Sequence, residues 1–228
     1  MNTRDTRLLQ AELIETIRIE ADGRIPLWPG HCARLQASAR ALGRPVTPET
    51  LETARMHALA MRPDDGPARW RLLLTPDGEL RSETAPLPDT PVPVAVRLAD
   101  DLLESSWSWL RHKTTWRPLY QQAGQWLAVH PDVFDLVFLN ERGQVCEGSR
   151  SNVYVRNAHG HWLTPPLSSG LLPGVCRQAL LDSGQVLEAV LTRHDLETAT
   201  ALRVSNALRG WLDARLGKVP DTGTTENT

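Results

Sequence analysis

The run His112-Lys113-Thr114-Thr115-Trp116-Arg117 sits mid-sequence and carries one of only two lysines among the 25 basic residues; the other is Lys218. Arginine serves wherever a fixed positive charge is enough, but its guanidinium stays protonated and cannot condense with an aldehyde. A chain that uses arginine almost everywhere and keeps an amine here points to Lys113 as a Schiff-base residue. Lys218, near a polar tail, reads as a solvated surface lysine. Trp107, Trp109 and Trp116 crowd the same region and read as core or interface, with one of them a candidate wall for a substrate cleft.

Outward from this run, the chain offers two partners for such an amine. Glu147 opens Glu147-Gly148-Ser149-Arg150-Ser151-Asn152-Val153-Tyr154-Val155, after an apolar strand-like stretch at 134–139 and a turn at 140–143. Gly170-Leu171-Leu172-Pro173-Gly174-Val175-Cys176-Arg177 leads into a helical pattern, and glycine before a helix start leaves free amides and a dipole that suit an anion. Asn206 and Ala207 read as a second such entry, between a strand at 201–204 and a helix expected over 208–216. An amine for an aldehyde, an acid beside a ring nitrogen and an anion site are what pyridoxal 5'-phosphate (PLP) requires. A carboxylate at Glu147 would hold the pyridine nitrogen protonated, and a protonated ring is the better electron sink.

These segments, in this order, resemble the class IV aminotransferases, the fold type IV group of PLP enzymes. The resemblance extends to Glu12-Leu13-Ile14-Glu15-Thr16-Ile17-Arg18, to Gly23-Arg24-Ile25-Pro26-Leu27, and to His31-Cys32-Ala33-Arg34-Leu35 followed by Ser38-Ala39-Arg40; it covers about residues 11–216. Within the family the chain is most similar to the branch that acts on 4-amino-4-deoxychorismate. By that resemblance Lys113 is the lysine that binds the cofactor aldehyde and Glu147 the ring-nitrogen partner. Arg34 is a phosphate ligand, and Val175 and Cys176 are backbone phosphate donors. Ser205, Asn206 and Ala207 lie at the far edge of the phosphate and substrate site. The implied fold is α/β of the α+β type in two lobes, a small α/β amino-terminal domain and a larger barrel-like carboxy-terminal one. The implied assembly is a homodimer.

Composition agrees with an ordinary globular enzyme. At 228 residues and 41% hydrophobic content the chain can build one large domain or two small ones. A net charge of -2 gives no general attraction to nucleic acid or acidic membranes. No stretch approaches the roughly 20 apolar residues of a membrane span, and the charged amino terminus lacks a signal core, so a cytoplasmic location is expected. Cys32, Cys146 and Cys176 are odd in number and widely spaced, which suggests buried free thiols rather than disulfides or a zinc site.

The organisation expected is a small domain at 1–99, a linker at 100–106, a cofactor-binding domain at 107–217 and a disordered tail at 218–228. Residues 11–20 alternate as a strand, and Asp22-Gly23 suggests a hairpin into 24–27. Helices are expected at 31–42, at 48–61 with Thr47 as cap and Pro48 at the first position, and at 119–129 after Pro118. Strands are expected at 69–75 and 93–98. The acidic, aperiodic stretch at 99–106 is the best linker, which places Lys113 beside an interlobe cleft.

Other residues invite other chemistry. Cys176 stands at a helix start, which favours a thiolate, but no histidine or acid partner is near it in sequence. His159 and His161 flank Gly160 in an exposed turn, with too few ligands for a metal. His112 reads as a packing or hydrogen-bonding neighbour of Lys113. Arg97, near the end of a strand, is a candidate for gripping a substrate carboxylate. Relative to the family, the segment before residue 11 is short, Ile14 stands where an aromatic residue is common, and Cys176 replaces a frequent threonine. The arginine-and-histidine pair of D-amino-acid transaminases has no match. The expected activity is a PLP-dependent lyase that converts aminodeoxychorismate to 4-aminobenzoate and pyruvate for folate synthesis. The alternatives are a branched-chain or D-amino-acid transaminase and a non-catalytic binding protein.

Overall fold

The computed structural model describes residues 3–217; the expected tail at 218–228, with Lys218, lies outside them. In chain order the elements are α1 (Thr3–Gln10), β1 (Leu13–Ile19), α2 (Trp28–Ala41), α3 (Pro48–Ala60), β2 (Ala68–Leu74), β3 (Leu80–Pro86), β4 (Val94–Leu103), α4 (Pro118–Ala128), β5 (Asp135–Asn140), β6 (Val145–Gly148), β7 (Asn152–Arg156), β8 (Trp162–Thr164), α5 (Val175–Asp182), β9 (Leu187–Glu188), α6 (Arg193–Thr198), β10 (Ala201–Asn206) and β11 (Gly210–Leu216). None of the described helices is long and apolar enough to cross a membrane.

The architecture is mixed α+β, built on two sheets. β1, β2 and β3 form an antiparallel sheet in that order. Every second residue of β1 and β2 is buried, so Ile17, Ile19, Trp70 and Leu72 share one face with Leu35 and Ala39 of α2 and Leu51 and Ala58 of α3. α3 begins as its sequence suggests, with Thr47 and Thr50 in a reciprocal capping box and proline in the first turn. The larger sheet has the order β6-β5-β4-β11-β10-β7-β8-β9 and curls into half a barrel. β4 lies parallel to both β5 and β11, so the last described strand inserts beside the first strand of this sheet. Its core joins Val96, Val137, Val153, Val155 and Val204.

Three expectations are corrected. Residues 208–216 are not a helix: β11 pairs antiparallel with β10, and Leu212, Ala214 and Leu216 pack into the core. Leucines at 208, 212 and 216 are four apart, a spacing that fits a helical face but is also a multiple of the strand period of two. The expected linker at 100–106 begins inside β4, which continues past a bulge to pair Leu102 and Leu103 with β5. The chain crosses between the sheets earlier, through the proline-rich residues 87–93. Residues 24–27 form no strand and turn directly into α2, because β1 pairs with β2 instead. Elements such as β3 carry no periodic signal of their own; β3 is polar and largely exposed, and backbone pairing to β2 places it.

Candidate active site

Lys113 enters the cleft on a loop stitched to the small sheet. Ile14 N donates to Lys113 O at 2.8 Å, Thr115 N to Glu12 O at 2.9 Å, and Glu12 N to Thr115 Oγ1 at 3.0 Å. Thr114 is buried, bridges to Leu13, and donates its hydroxyl to Trp116 O at 2.9 Å. The two threonines thus clamp the backbone on either side of the lysine's exit, and Pro118 starts α4 immediately beyond. Burial, with the positive charges of Arg117 and Arg34, pulls the Lys113 ammonium down to about 7, against the opposing pull of Glu15 and Glu147.

Glu147 lies on β6, whose four residues are all buried. Its carboxylate accepts the Tyr120 hydroxyl at 2.8 Å and Asn152 Nδ2 at 3.3 Å. Burial pushes it up to about 7, opposed by Arg117, by the Tyr120 hydroxyl, by a backbone N–H of Leu172 and by Lys113. Burial and the charge of Glu147 keep the Tyr120 phenol protonated, as the donor in that bond. The Gly-Ser-Arg-Ser that follows wraps a buried Asp135, which accepts both the Ser149 and the Ser151 hydroxyl at 2.6 Å and the Arg150 N–H at 3.2 Å. A side chain at Gly148 would strike that carboxylate, so the motif needs glycine there.

The head of α5 forms the opposite wall. Gly174 is the residue before its first turn, where a Cβ would collide with Asn152 Oδ1; no side chain caps this helix start, and Gly174 and Val175 lie on the cavity wall. At the turn between β10 and β11, Ser205 shares a 2.6 Å hydrogen bond with the buried Tyr154 hydroxyl. Asn206 Oδ1 accepts the N–H of Leu208 at 3.2 Å and of Arg209 at 2.8 Å. The correction at 208–216 matters here: Asn206 and Ala207 form a hairpin turn whose following amides are already taken, not a second helix start.

A cavity of about 510 Å³ is walled by Lys113, Glu147, Arg34, Val175 and Ser205, with Asn206 and Ala207 at one edge. Cys176 is off that wall; its thiol is buried, and burial raises its pKa, which fits no nucleophilic role. Arg97 is also elsewhere. It stacks over Trp126 at 5.5 Å, away from the cavity, so it does not grip a substrate in this structure. Arg34 faces the cavity but is not a free cation: its Nε and Nη2 pair with Glu15 at 2.9 and 2.5 Å, and Nη1 donates to Pro173 O at 3.3 Å. His112 hydrogen-bonds Ser38 at 3.0 Å. His159 and His161 are exposed, and Cys146 is a buried free thiol like Cys176.

The sequence reading missed Arg117, Tyr120, Asn152, Glu15 and Arg150 as parts of the site. Arg117 was in view, four residues past Lys113, and its guanidinium lies 4.3 Å from the Tyr120 ring centroid. Arg117 is the cap residue of α4 and Tyr120 lies three positions on in its first turn, a spacing that brings the two to one side of the helix. Nothing in the sequence signals that Tyr120 meets Glu147, 27 residues away.

The model of the family described as Amino-transferase class IV matches residues 12–216, and the chain belongs to that family. A Schizosaccharomyces pombe protein provisionally named as an aminodeoxychorismate lyase is 29% identical over 196 residues, covering 82% of this chain and 83% of that protein. A Mesorhizobium loti crystal structure, provisionally described as an amino-acid aminotransferase, is 37% identical with a TM-score of 0.84, over 91% of this chain and 100% of that one. The PLP-bound form of a hypothetical aminotransferase from Mycobacterium tuberculosis shares the fold at 22% identity, with a TM-score of 0.74 over 92% of this chain and 84% of that one.

Proposed function

We propose that the chain is a PLP-dependent aminodeoxychorismate lyase that forms 4-aminobenzoate and pyruvate. The donor set suits the cofactor: a buried amine of lowered pKa, a buried acid fixed by a phenol and an amide, and a helix start on the cavity wall with no side-chain cap, at a glycine packed too closely against Asn152 to carry a side chain. When bound, PLP supplies the electron sink for a carbanion on the substrate carbon that carries the amino group. Lys113 would hold the aldehyde, and its Nζ, as the free amine, would take the proton from that carbon and return one to the departing enolpyruvyl group. Glu147 would hold the ring nitrogen, with Tyr120 and Asn152 orienting its carboxylate. Arg34 and the amides of Val175 and Cys176 would anchor the phosphate, and Ser205, Asn206 and Ala207 would border it.

The observation that carries the lyase reading is charge. Five arginines, at 34, 69, 117, 150 and 209, line the cavity, against Glu147 as the one acid on its wall. Glu15 and Glu83 pair with Arg34 and Arg69, whereas Arg117, Arg150 and Arg209 make no salt bridge among the described residues, Arg117 acting on Glu147 only through its charge. A surplus of guanidinium groups suits a substrate with two carboxylates better than a branched-chain amino acid with one. The 37% identity to the Mesorhizobium loti protein favours a second reading, an amino-acid transaminase. Under either reading the chain works on small molecules, as a cytoplasmic homodimer with no nucleic-acid or membrane partner.

The two reactions separate after proton removal. Loss of pyruvate makes the ring aromatic and needs no second substrate, so 4-aminobenzoate and pyruvate should form in equal amounts with no 2-oxo acid present. The cofactor should then stay in its aldehyde form over many turnovers. Conversion of the cofactor to its amine form by branched-chain or D-amino acids, with aminodeoxychorismate left untouched, would establish the transaminase.

A further inference from the structure

Glu15 occupies a costly position. The alternation of β1 puts it in one row with Leu13, Ile17 and Ile19, on the face that packs against α2, and it is 2% exposed. A carboxylate among apolar side chains costs several kcal/mol unless it is paired and hydrogen-bonded. Two residues of α2 three positions apart, and so on one helix face, meet that need. His31 Nδ1 lies 2.6 Å from Glu15 Oε2, and Arg34 grips both oxygens. Burial raises the carboxyl, but the charge of Arg34 and the hydrogen bonds of His31 and Arg34 outweigh it and bring Glu15 down to about 2. An ionised carboxylate only accepts, so the proton of that His31 contact sits on Nδ1.

The same contacts fix how Arg34 presents itself. Glu15 takes the Nε and Nη2 edge, and Pro173 O takes one N–H of Nη1. One N–H of Nη1 and one of Nη2 remain uncommitted, and Arg34 lines the cavity together with Gly174 and Val175 at the head of α5. A guanidinium clamped along one edge loses the rotational freedom that a lone arginine must give up on binding an anion. Arg34 thus spans the two lobes, from β1 on one side to the segment that leads into α5 on the other.

Resting on the cofactor reading above, we propose that Glu15 and His31 are positioning residues for the cofactor phosphate. They act through Arg34, with Glu15 setting its orientation and His31 locking Glu15. The competing account is a core ion pair that only ties β1 to α2.

PLP and pyridoxal distinguish these accounts, because both condense with Lys113 and only PLP carries a phosphate. The full-length chain freed of cofactor should bind PLP more tightly than pyridoxal. In Glu15→Gln the preference for PLP should fall by about ten-fold or more, the size of one lost charge-assisted contact, while pyridoxal affinity stays within about two-fold. Arg34→Gln should do the same, and adding Glu15→Gln to it should change the preference no further. If Glu15→Gln does not fold, His31→Phe, which keeps a ring but removes Nδ1, should lower the preference by at least about three-fold. Equal weakening of both ligands, or an unchanged preference, overturns the proposal in favour of the core ion pair. A wild-type chain that binds both ligands equally would overturn the phosphate-site reading itself, and one that binds neither would overturn the cofactor reading.

Discussion

Replacing Lys113 by arginine should leave a folded protein with a positive charge in the same place and activity reduced by at least about four powers of ten, roughly 5 kcal/mol of barrier. The guanidinium cannot condense with the cofactor aldehyde, and it cannot shuttle a proton near neutral pH. In the wild-type chain, borohydride reduction after loading with PLP should fix the cofactor covalently on Lys113, and peptide mapping should find it there; the variant should show no adduct. An adduct on Lys218, or none in PLP-saturated protein, would defeat the assignment. The lowered pKa adds a pH signature. Only the neutral amine attacks, and burial beside Arg117 and Arg34 sets the change at about 7. The rate of adduct formation in cofactor-free protein should therefore climb as pH rises through about 7 and level off above it, well below the roughly 10.4 of an ordinary lysine. A rate still climbing steeply at pH 9 would show that the amine is not held in its depressed state.

The second large effect is expected from Glu147→Gln. The amide keeps the shape and can still meet Tyr120 and Asn152, whose contacts with Glu147 are 2.8 and 3.3 Å. It removes the negative charge that would keep the cofactor's ring nitrogen protonated. The variant should bind PLP and form the Lys113 adduct yet turn over at least about a hundred-fold more slowly, about 2.7 kcal/mol. Single-turnover rates measured at saturating substrate check this, because they separate the carbanion step from binding. Unchanged turnover would mean that another group supplies the electron sink.

Several parts of the site were legible along the chain because their chemistry is local. A lysine in an arginine-biased chain, a carboxylate beside Gly-Ser-Arg-Ser, and a glycine one residue before an apolar helix each carry their reason in their immediate neighbours. The structure brings Lys113, Glu147, Arg34 and Val175 around one cavity. It sends Arg97 to Trp126, because a position near a strand end says nothing about which side of the sheet the residue leaves from. The residues that hold the site in place were harder to see. Tyr120 reaches Glu147 only because α4 packs over β5, where Tyr120 also meets Phe138 at 5.2 Å between ring centroids. Asn152 serves Glu147 and Leu172 O together because three separate segments converge there.

By itself, then, the sequence determined the mixed α+β class through its resemblance to a family, helices α2 to α5 and strands such as β1, β2, β5 and β10 through their period, and the amine, the acid and the glycine-led helix start. Tertiary structure alone decided that residues 210–216 insert as a strand between β4 and β10, that β4 runs into the expected linker, and that Arg34 is clamped by Glu15. The physical reason is range. Periodicity and capping are set within a few residues by backbone geometry and local hydrogen bonds, whereas a spacing of four satisfies helix and strand alike until a partner strand such as β10 supplies the hydrogen bonds. The direction of a buried carboxylate likewise has no meaning until packing brings a cation against it.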